Sequence, residues 1–461
     1  MVKYQKYKEI NLPWLKIIPA NWDIKRNKQF LHERKKIVGN KSSEYTLLSL
    51  TLRGIVVRDL SENKGKIPAS FDNYKIVEPG DIAFCLFDID ETPRTVGLSK
   101  YKGMLTGAYN IFHIEGINAR YLYYYYLALD NIKGLRPLYT GLRKTINVNT
   151  FLSQQMPVPP RSEQDQIVRF LDWKVSEINK LIGIRQKEIQ ELEELRENTI
   201  LHTTTSGLDT SVPMKRTDNF WIGTIPEHWN VVQVRRVYSV ILGKMLATKP
   251  AYSSDTYEEY VCAKDVHFDG VDLSDLKQMW FSTSEKQQYK IEANDLLIVE
   301  GGAGAGNAAL VEEPLDRDIY VQNSIHIVRP KSNRATTKFL AYWMRSMVKR
   351  NYMTFVCSVA TIPHYTKDKV MSTVMPLPPE NEQKEIVRYL DNECEKINNL
   401  ITKKHSQIAT LQELKNSLIS DVVTGKIDVR NIAVPEYEHV DDIGDADSGD
   451  NEETETNGEE A

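Results

Sequence analysis

The chain has 461 residues, 41% hydrophobic and 26% charged, a composition that gives room for two or three globular domains and excludes a fibrous or wholly disordered class. No apolar run reaches the ~18 residues a membrane span needs, and the polar stretch from Met1 to Ile10 does not read as a signal peptide. The formal net charge of −4 conceals a segregation: residues 431–461 hold 12 acidic residues and no Lys or Arg, so residues 1–430 carry +8.

In chain order, Trp14, Ile18-Pro19 and Trp22 open the first stretch. After the turn at Pro79-Gly80, residues 81–87 predict a buried strand, and Tyr109-Asn110-Ile111-Phe112 a returning one. An aromatic helix follows over residues 121–129, whose Tyr run at 123–126 reads as core packing rather than a base-stacking platform. Pro157-Val158-Pro159-Pro160 stops the chain, and Ser162 with Asp165 makes a capping-box pattern. Apolar residues then recur at three- and four-residue steps from Ile167 to Ile200. They predict one helix of roughly 40 residues, about 60 Å long at ~1.5 Å per residue.

The plan then repeats. Trp221, Ile225-Pro226 and Trp229 match the opening with a shift of 207. Strands are expected at 295–299 and 322–325, and an aromatic helix at 338–347. Pro376-Leu377-Pro378-Pro379 with Glu382-Gln383 then matches Pro157-Val158-Pro159-Pro160 with Glu163-Gln164 at a shift of 219, with Asn381 at the cap position. The match runs on through Ile178/Ile397, Leu181/Leu400, Ile189/Ile408, Leu192/Leu411 and Ile200/Ile419. Two ordered sets of matches mean a tandem duplication, its second globular part 12 residues longer than its first. A lone rod of that length would expose its apolar stripe, so the two copies are expected to pair as an antiparallel coiled coil.

Signs of catalysis are few. Cys85, Cys262, Cys357 and Cys394 are far apart, which argues against a zinc site or a disulfide framework and points to a reducing, cytoplasmic setting. The nine His form no metal-ligand spacing, and no nucleophile elbow is present. Gly301-Gly302-Ala303-Gly304-Ala305-Gly306 lacks the Lys-Ser/Thr end of a phosphate loop and reads as a connection between strands. No cofactor and no metal are therefore expected. Positive charge gathers on the globular parts, +10 over residues 1–156 and +2 over 210–375, whereas the helical stretches 157–209 and 376–430 carry −3 and −1. That is the distribution of a protein whose globular parts touch phosphates.

The order of globular part, long helix, globular part, long helix, the doubled Ile-Pro-x-x-Trp openings and the doubled Pro-x-Pro-Pro-x-x-Glu-Gln helix starts resemble the specificity subunit of type I restriction-modification enzymes. The resemblance covers nearly all of residues 10–430. It implies a mixed α+β chain with two tandem target recognition domains, residues 1–156 and 210–375, each reading half of a split double-stranded DNA sequence. Long spacer helices over 157–209 and 376–430 would set the gap; residues 431–461, acidic and with few large apolar residues beyond Val434, Tyr437, Val440 and Ile443, are expected from composition to be a disordered tail. The implied partners are DNA, two methyltransferase subunits and restriction/translocase subunits, with no membrane and no catalysis by this chain.

Specificity subunits of this kind often carry a Gly-Ser-Thr-Arg-like turn before the Pro-rich helix start. Thr140-Gly141-Leu142-Arg143-Lys144 occupies that place, making Arg143 and Lys144 candidate DNA contacts. The second copy has no Arg or Lys in the turn but offers His364 and Lys367. Further loop candidates are Arg53, Lys64, Lys66 and Arg94, then Lys264, His267 and Asn307. Ile178, Leu181, Ile189 and Leu192, with Ile397, Leu400, Ile408 and Leu411, are the candidate partner-binding residues on the rods. Two rival readings are a coiled-coil scaffold that binds no nucleic acid and a self-contained DNA-modifying enzyme.

Overall fold

Short apolar runs bounded by Gly, Asn and Asp build the same sheet twice. The computed structural model describes residues 2–58, 70–141, 144–357 and 363–442. In the first copy, Ile82–Phe84 lies between Asn110–Ile114 and Val96–Leu98, and Leu31–Glu33 adds to the far edge of Asn110–Ile114, all antiparallel. In the second, Leu296–Val299 lies between Ile325–Pro330 and Ala308–Leu310, with Tyr238–Leu242 on the far edge, again antiparallel. The strands expected at 81–87, 109–112 and 295–299 appear as Ile82–Phe84, Asn110–Ile114 and Leu296–Val299, and the aromatic helices as Ala119–Asn131 and Thr337–Lys349. The strand expected at 322–325 starts only at Ile325, because Asn323 and Ser324 turn the chain before it. Asn118 and Thr336 cap those helices with side-chain oxygens. Tyr124, Tyr125 and Tyr126 are buried, Tyr126 edge-on to Phe84 at 5.0 Å, so the tyrosine run is core. The Gly301–Gly306 stretch joins two antiparallel strands and leads into no helix.

The two repeated motifs turn out to be one structural device. Asp23–Arg26, just after Trp22, pairs with Gln155–Val158, just before the helix start, and Asn230–Gln233 pairs with Val374–Leu377 in the same way. Gln164 and Gln383 lock this junction. Each amide donates to a proline carbonyl, Pro159 or Pro378, and each side-chain oxygen accepts the N–H of the aromatic helix's cap residue, Asn118 at 2.8 Å or Thr336 at 3.0 Å. Glu163 accepts from Tyr4 Oη, Trp22 Nε1 and Asn21 Nδ2 at 2.5, 2.8 and 3.0 Å. In the second copy Glu382 instead meets His228 at 2.8 Å, and the buried Nε1 of Trp229 has no partner among the described residues.

The helices run Arg161–Ser206 and Glu380–Val423. The capping box expected at Ser162 and the cap expected at Asn381 do not form: both residues lie inside the first turn, because the helices begin directly after the prolines, and the Pro160 carbonyl takes the N–H groups of Glu163 and Gln164. Asp165 bonds Asn118 Nδ2 at 2.7 Å instead. Each helix ends at a left-handed glycine, Gly207 at φ +73° and Gly425 at φ +74°. A Cβ on Gly425 would lie 2.4 Å from Pro19 and 3.2 Å from Trp22, and one on Gly207 would lie 3.2 Å from Trp229. Only glycine meets both the dihedral and the clearance.

Compactness divides the chain inside its helices. One unit is residues 1–187 with 404–461, the other 188–403. Each unit therefore holds the start of one long helix beside the end of the other, because those halves share a core with the sheet next to them. In the first unit Ile167, Leu171 and Ile178 cluster with Trp22, Phe112 and, from the second helix, Leu418 and Ile419. In the second unit Ile386 and Leu390 cluster with Trp229, Trp343 and Ile200. In the first, Gly425 past the end of the second helix lies by Trp22, which bonds Glu163 in the opening turn of the first helix, while Lys415 Nζ donates to Asn179 at 3.3 Å. In the second, Gly207 past the end of the first helix lies by Glu382, in the opening turn of the second, while Arg196 Nη1 donates to Asn398 at 2.6 Å. The helix segments pair antiparallel within each unit.

The acidic segment differs from its expectation at its near end. Residues 431–442 lie along the first unit as an extended strap. Gln166 Nε2 donates to the carbonyls of Val429 and Ile432, Ile432 and Val434 pack on the core, Asn179 Nδ2 donates to the Val440 carbonyl, and Lys415 pairs with Asp442 at 2.8 Å. Composition alone hid this, since the few apolar residues of the strap bury themselves against an existing core. Residues 443–461 lie outside the described part.

Candidate nucleic-acid interface

In each unit the loop after the central strand is tied to the segment that precedes the Pro-rich helix start. In the first, the Ile146 N–H donates to the Leu86 carbonyl at 2.7 Å, and Thr140 bridges Thr145, with Gly141 at φ +71° and Lys144 at φ +48° marking a turn. Asp90 anchors that turn. Its carboxylate accepts from Arg136 Nε at 2.7 Å and Tyr139 Oη at 3.0 Å and pairs with Lys144 Nζ at 3.3 Å. Arg136, then Tyr139 and Lys144, hold the Asp90 carboxyl below the usual carboxylate range. In the second, the Tyr365 N–H donates to the Glu300 carbonyl at 2.6 Å and Gly301 bridges His364. Burial pushes the Glu300 carboxyl upward, with His364 nearby opposing the shift.

Several expected residues meet at the second junction. Asn307 closes the glycine loop, its N–H on Gly304 and its carbonyl on Val299, while His364 is exposed across from Gly301 and Lys367 starts the short helix that follows. Ser324 links a neighbouring segment: its Oγ accepts from Ala263 at 3.0 Å and its carbonyl from Glu300 at 2.8 Å. Lys264 and His267, on that segment, are both exposed, with Lys264 3.4 Å from Asp265. The run Met245, Leu246 and Tyr252 beside Lys249 is exposed as well, Met245 by 75%. Sequence reasoning missed this run and Glu300. An apolar pair flanked by Lys244 and Lys249 was the available signal.

The first unit brings fewer of its candidates together. Lys144 sits at the turn, half exposed. Arg53 is exposed at the tip of the hairpin formed by Leu48–Thr51 and Gly54–Val57. Arg94 is not a surface cation: its side chain is 14% exposed and pairs with the buried Asp130 at 3.1 Å and with Asn131 at 3.0 Å. Asp130 also takes Thr95 and Lys133, so Arg94 belongs to a neutralising cluster around a buried carboxylate. Lys64, Lys66 and Arg143 lie outside the described residues.

The candidate partner-binding residues on the helices divide as well. Ile178, Ile189 and Ile397 are buried, and Ile408 and Leu411 pack on the first unit's core, so these five are not a free docking face. Leu192 is half-buried. Leu181 and Leu400 are each 44% exposed, and so are the repeat pair Leu195 and Leu414, by 53% and 51%. Leu181 and Leu414 belong to the first unit, and Leu195 and Leu400 to the second. Among the described residues, no helix is long and apolar enough to cross a membrane, and no cluster of three or more His, Cys, Asp or Glu could hold a metal ion.

The chain is 25% identical over 301 residues to the type I restriction enzyme MjaVIII specificity subunit of Methanocaldococcus jannaschii, covering 62% of this chain and 65% of that protein. It is 24% identical over 459 residues to the putative type I restriction enzyme MjaX specificity subunit of the same organism, covering 93% of this chain and 100% of the relative. It is 22% identical over 300 residues to the EcoBI specificity subunit of Escherichia coli, spanning 60% of that protein. A chain from a structural study of complex assembly and conformational transition in the type I R-M system aligns over 89% of this chain and 99% of its own, with a TM-score of 0.62 at 14% identity, a likeness of fold. The family model for the type I restriction modification DNA specificity domain matches residues 61–194 and 226–410, more than half of the chain and once in each copy of the duplication. The chain belongs to the type I restriction modification DNA specificity domain family.

Proposed function

We propose that this chain is the non-catalytic specificity subunit of a type I restriction-modification complex, and that each unit reads one half of a split double-stranded DNA target. The observation that carries this is the doubled junction: the same four-strand order presents the same loop-and-turn meeting point in both units, with different side chains on it. Equal scaffolds with unequal loops suit two different half-sites. Lys144 and Arg53 in the first unit, together with Arg143, Lys64 and Lys66 outside the described residues, would supply phosphate and base contacts. In the second, His364, Asn307 and Lys367 would face the groove with Lys264 and His267 beside them. Asn307 suits adenine edges, and Glu300 could accept from a cytosine amino group.

Two methyltransferase subunits would dock on the helices through the exposed pairs Leu181/Leu414 and Leu195/Leu400, and restriction/translocase subunits would join them in the cytoplasm. The exposed Leu pairs support this reading because they recur once per unit, as two identical partners require. Mapping methylated positions in DNA from cells that carry this chain with its methyltransferase should reveal two short sequences separated by a constant unread gap. His364→Ala should alter one half only. One contiguous site, or methylation by the purified chain alone, overturns the proposal.

A further inference from the structure

The groove that the strap fills in the first unit has an open counterpart in the second. The repeat maps the strap's seat residue by residue. Arg120 and Tyr124 meet Asp172 at 2.6 and 2.8 Å where the strap's Tyr437 lies, and Lys338 and Tyr342 meet Asp391 at 3.0 and 2.8 Å in the second unit. Asn179 and Lys415, which hold Val440 and Asp442, correspond to Asn398 and Arg196. Around those counterparts is a cavity of about 810 Å³, lined by Arg196, Tyr342, Arg345, Cys394 and Asn398 among others. It continues past Lys338 and Asp391 into a second hollow of about 350 Å³ beside Lys384, Val387 and Arg388, the positions equivalent to the strap's path near Gln166.

Charge decides what fits. In the first unit Lys100, Lys180 and Lys415 face Asp441, Glu438 and Asp442 of the strap. In the second, the place of Lys100 is taken by Glu312: both residues follow a residue, Ser99 or Val311, whose N–H donates to the aspartate that opens the central strand, Asp81 or Asp295. Lys180 becomes Asn399 and Ser176 becomes Glu395, and Glu313 and Asp316 also line the cavity. Of these three lysine positions only that of Lys415 keeps its charge, as Arg196, and Lys338, in the place of Arg120, is paired with Glu312 at 2.7 Å and Asp391 at 3.0 Å. A second acidic strap would meet carboxylates at this end.

We propose that the second unit's groove takes an extended segment of a partner protein, with an apolar or aromatic anchor followed by Lys or Arg, seated as the first unit seats its own residues 432–442. The inference rests on the reading of the chain as a subunit of a complex, and it assigns that segment to the methyltransferase subunit. A cation on the segment would pair with Glu312, Glu313 or Glu395, and its anchor would rest on Ala341 and Tyr342, Ala341 standing where Tyr123 stands in the first unit.

The test uses the full chain and two fluorescent 13-residue peptides, one with the sequence of residues 430–442 and one carrying Glu438→Lys and Asp441→Lys. The charge-swapped peptide is expected to bind at least tenfold more tightly than the native one and to slow thiol labelling of Cys394. A chain with Glu312→Lys and Glu395→Lys should reverse that preference. Ala341→Trp, which fills the cavity, should abolish peptide binding and weaken association with the methyltransferase subunit at least tenfold, with an unchanged circular dichroism spectrum showing that it is folded. Equal binding of the two peptides, or tighter binding of the native one, overturns the proposal. So does a folded Ala341→Trp chain that joins the methyltransferase with unchanged affinity, an outcome that leaves the specificity-subunit reading intact. If the unmodified chain fails to join any methyltransferase subunit, that reading itself falls.

Discussion

Glu163 and His326 show how single buried polar groups set local stability. Glu163 is 5% exposed and accepts three hydrogen bonds that draw the first residues of the chain, Trp22 and the helix start together. Glu163→Ala would strand the Tyr4 hydroxyl and the Trp22 indole N–H in the core, and a cost of about 2–4 kcal/mol is expected, with Glu163→Gln costing less because it keeps acceptors in place. Urea unfolding followed by tryptophan fluorescence measures this, and an unchanged midpoint for Glu163→Ala would remove the network's claimed role. His326 donates Nε2–H to the Tyr365 carbonyl at 2.9 Å while its buried Nδ1 has no partner among the described residues. Burial, with Lys367 adding to it, pushes its imidazole below the usual value, against the opposing bond to Tyr365. The unfolded chain, with an ordinary imidazole near about 6.5, then takes up the proton first, so this stabilising contribution is full above that pH and declines as pH falls below it. His326→Gln should flatten the loss of urea resistance between pH 7 and 5.5 relative to the parent, and parallel pH profiles would contradict it.

At the scale of elements, the strap and the long helices exchange support. The Lys415 ammonium is 8% exposed and finds Asn179 on the facing helix and Asp442 on the strap. Ending the chain after Asp442 should leave the first unit's stability unchanged. Ending it after Arg430 strips Ile432 and Val434 from the core and leaves Lys415 without its carboxylate, so a loss of about 2–4 kcal/mol is expected in thermal or urea unfolding. An equal midpoint for the two truncations would mean that the strap contributes nothing to the fold. The acidic residues beyond Asp442 repel phosphate by charge, and their removal should slightly tighten DNA binding at low salt.

At the scale of the whole molecule, the duplicated plan makes helix length a ruler between half-sites under the proposed function. Glu197 is a poor place to lengthen the first helix, because it holds Arg345 at 2.9 Å inside the second unit. The boundaries of compactness, between residues 187 and 188 and between 403 and 404, are better, with the insertion made in both helices because both cross from one unit to the other there. Four residues in each add about 6 Å and a net turn of ~40°. At roughly 3.4 Å per base pair the unread gap should widen by about one or two base pairs with both half-sites unchanged. Sequencing methylated sites of parent and insertion forms decides this, and altered half-sites at a fixed gap would put the helices into base readout instead.

The duplication, the long helices, the central strands and the buried tyrosine run were legible in the sequence, because each is written in a local pattern of apolar residues or in residues that recur at one shift, whereas the strand expected at 322–325 begins only at Ile325. Even the glutamine of the Pro-rich helix starts could be found by repetition alone, although its bond to the Asn118 or Thr336 N–H could not. Tertiary structure decided the rest. Arg94 and Lys144 look alike in sequence, and only the buried Asp130 makes one a strut while the other stands at a surface turn. Ile178 and Leu181 both belong to one apolar stripe, yet the facing helix buries the first and leaves the second half open, since a stripe's width is local and its partner is not. The division of compactness inside the helices and the seating of an acidic segment on the first unit depend on contacts between residues more than 200 positions apart, such as Lys180 with Glu438. No window of composition or period reaches that far.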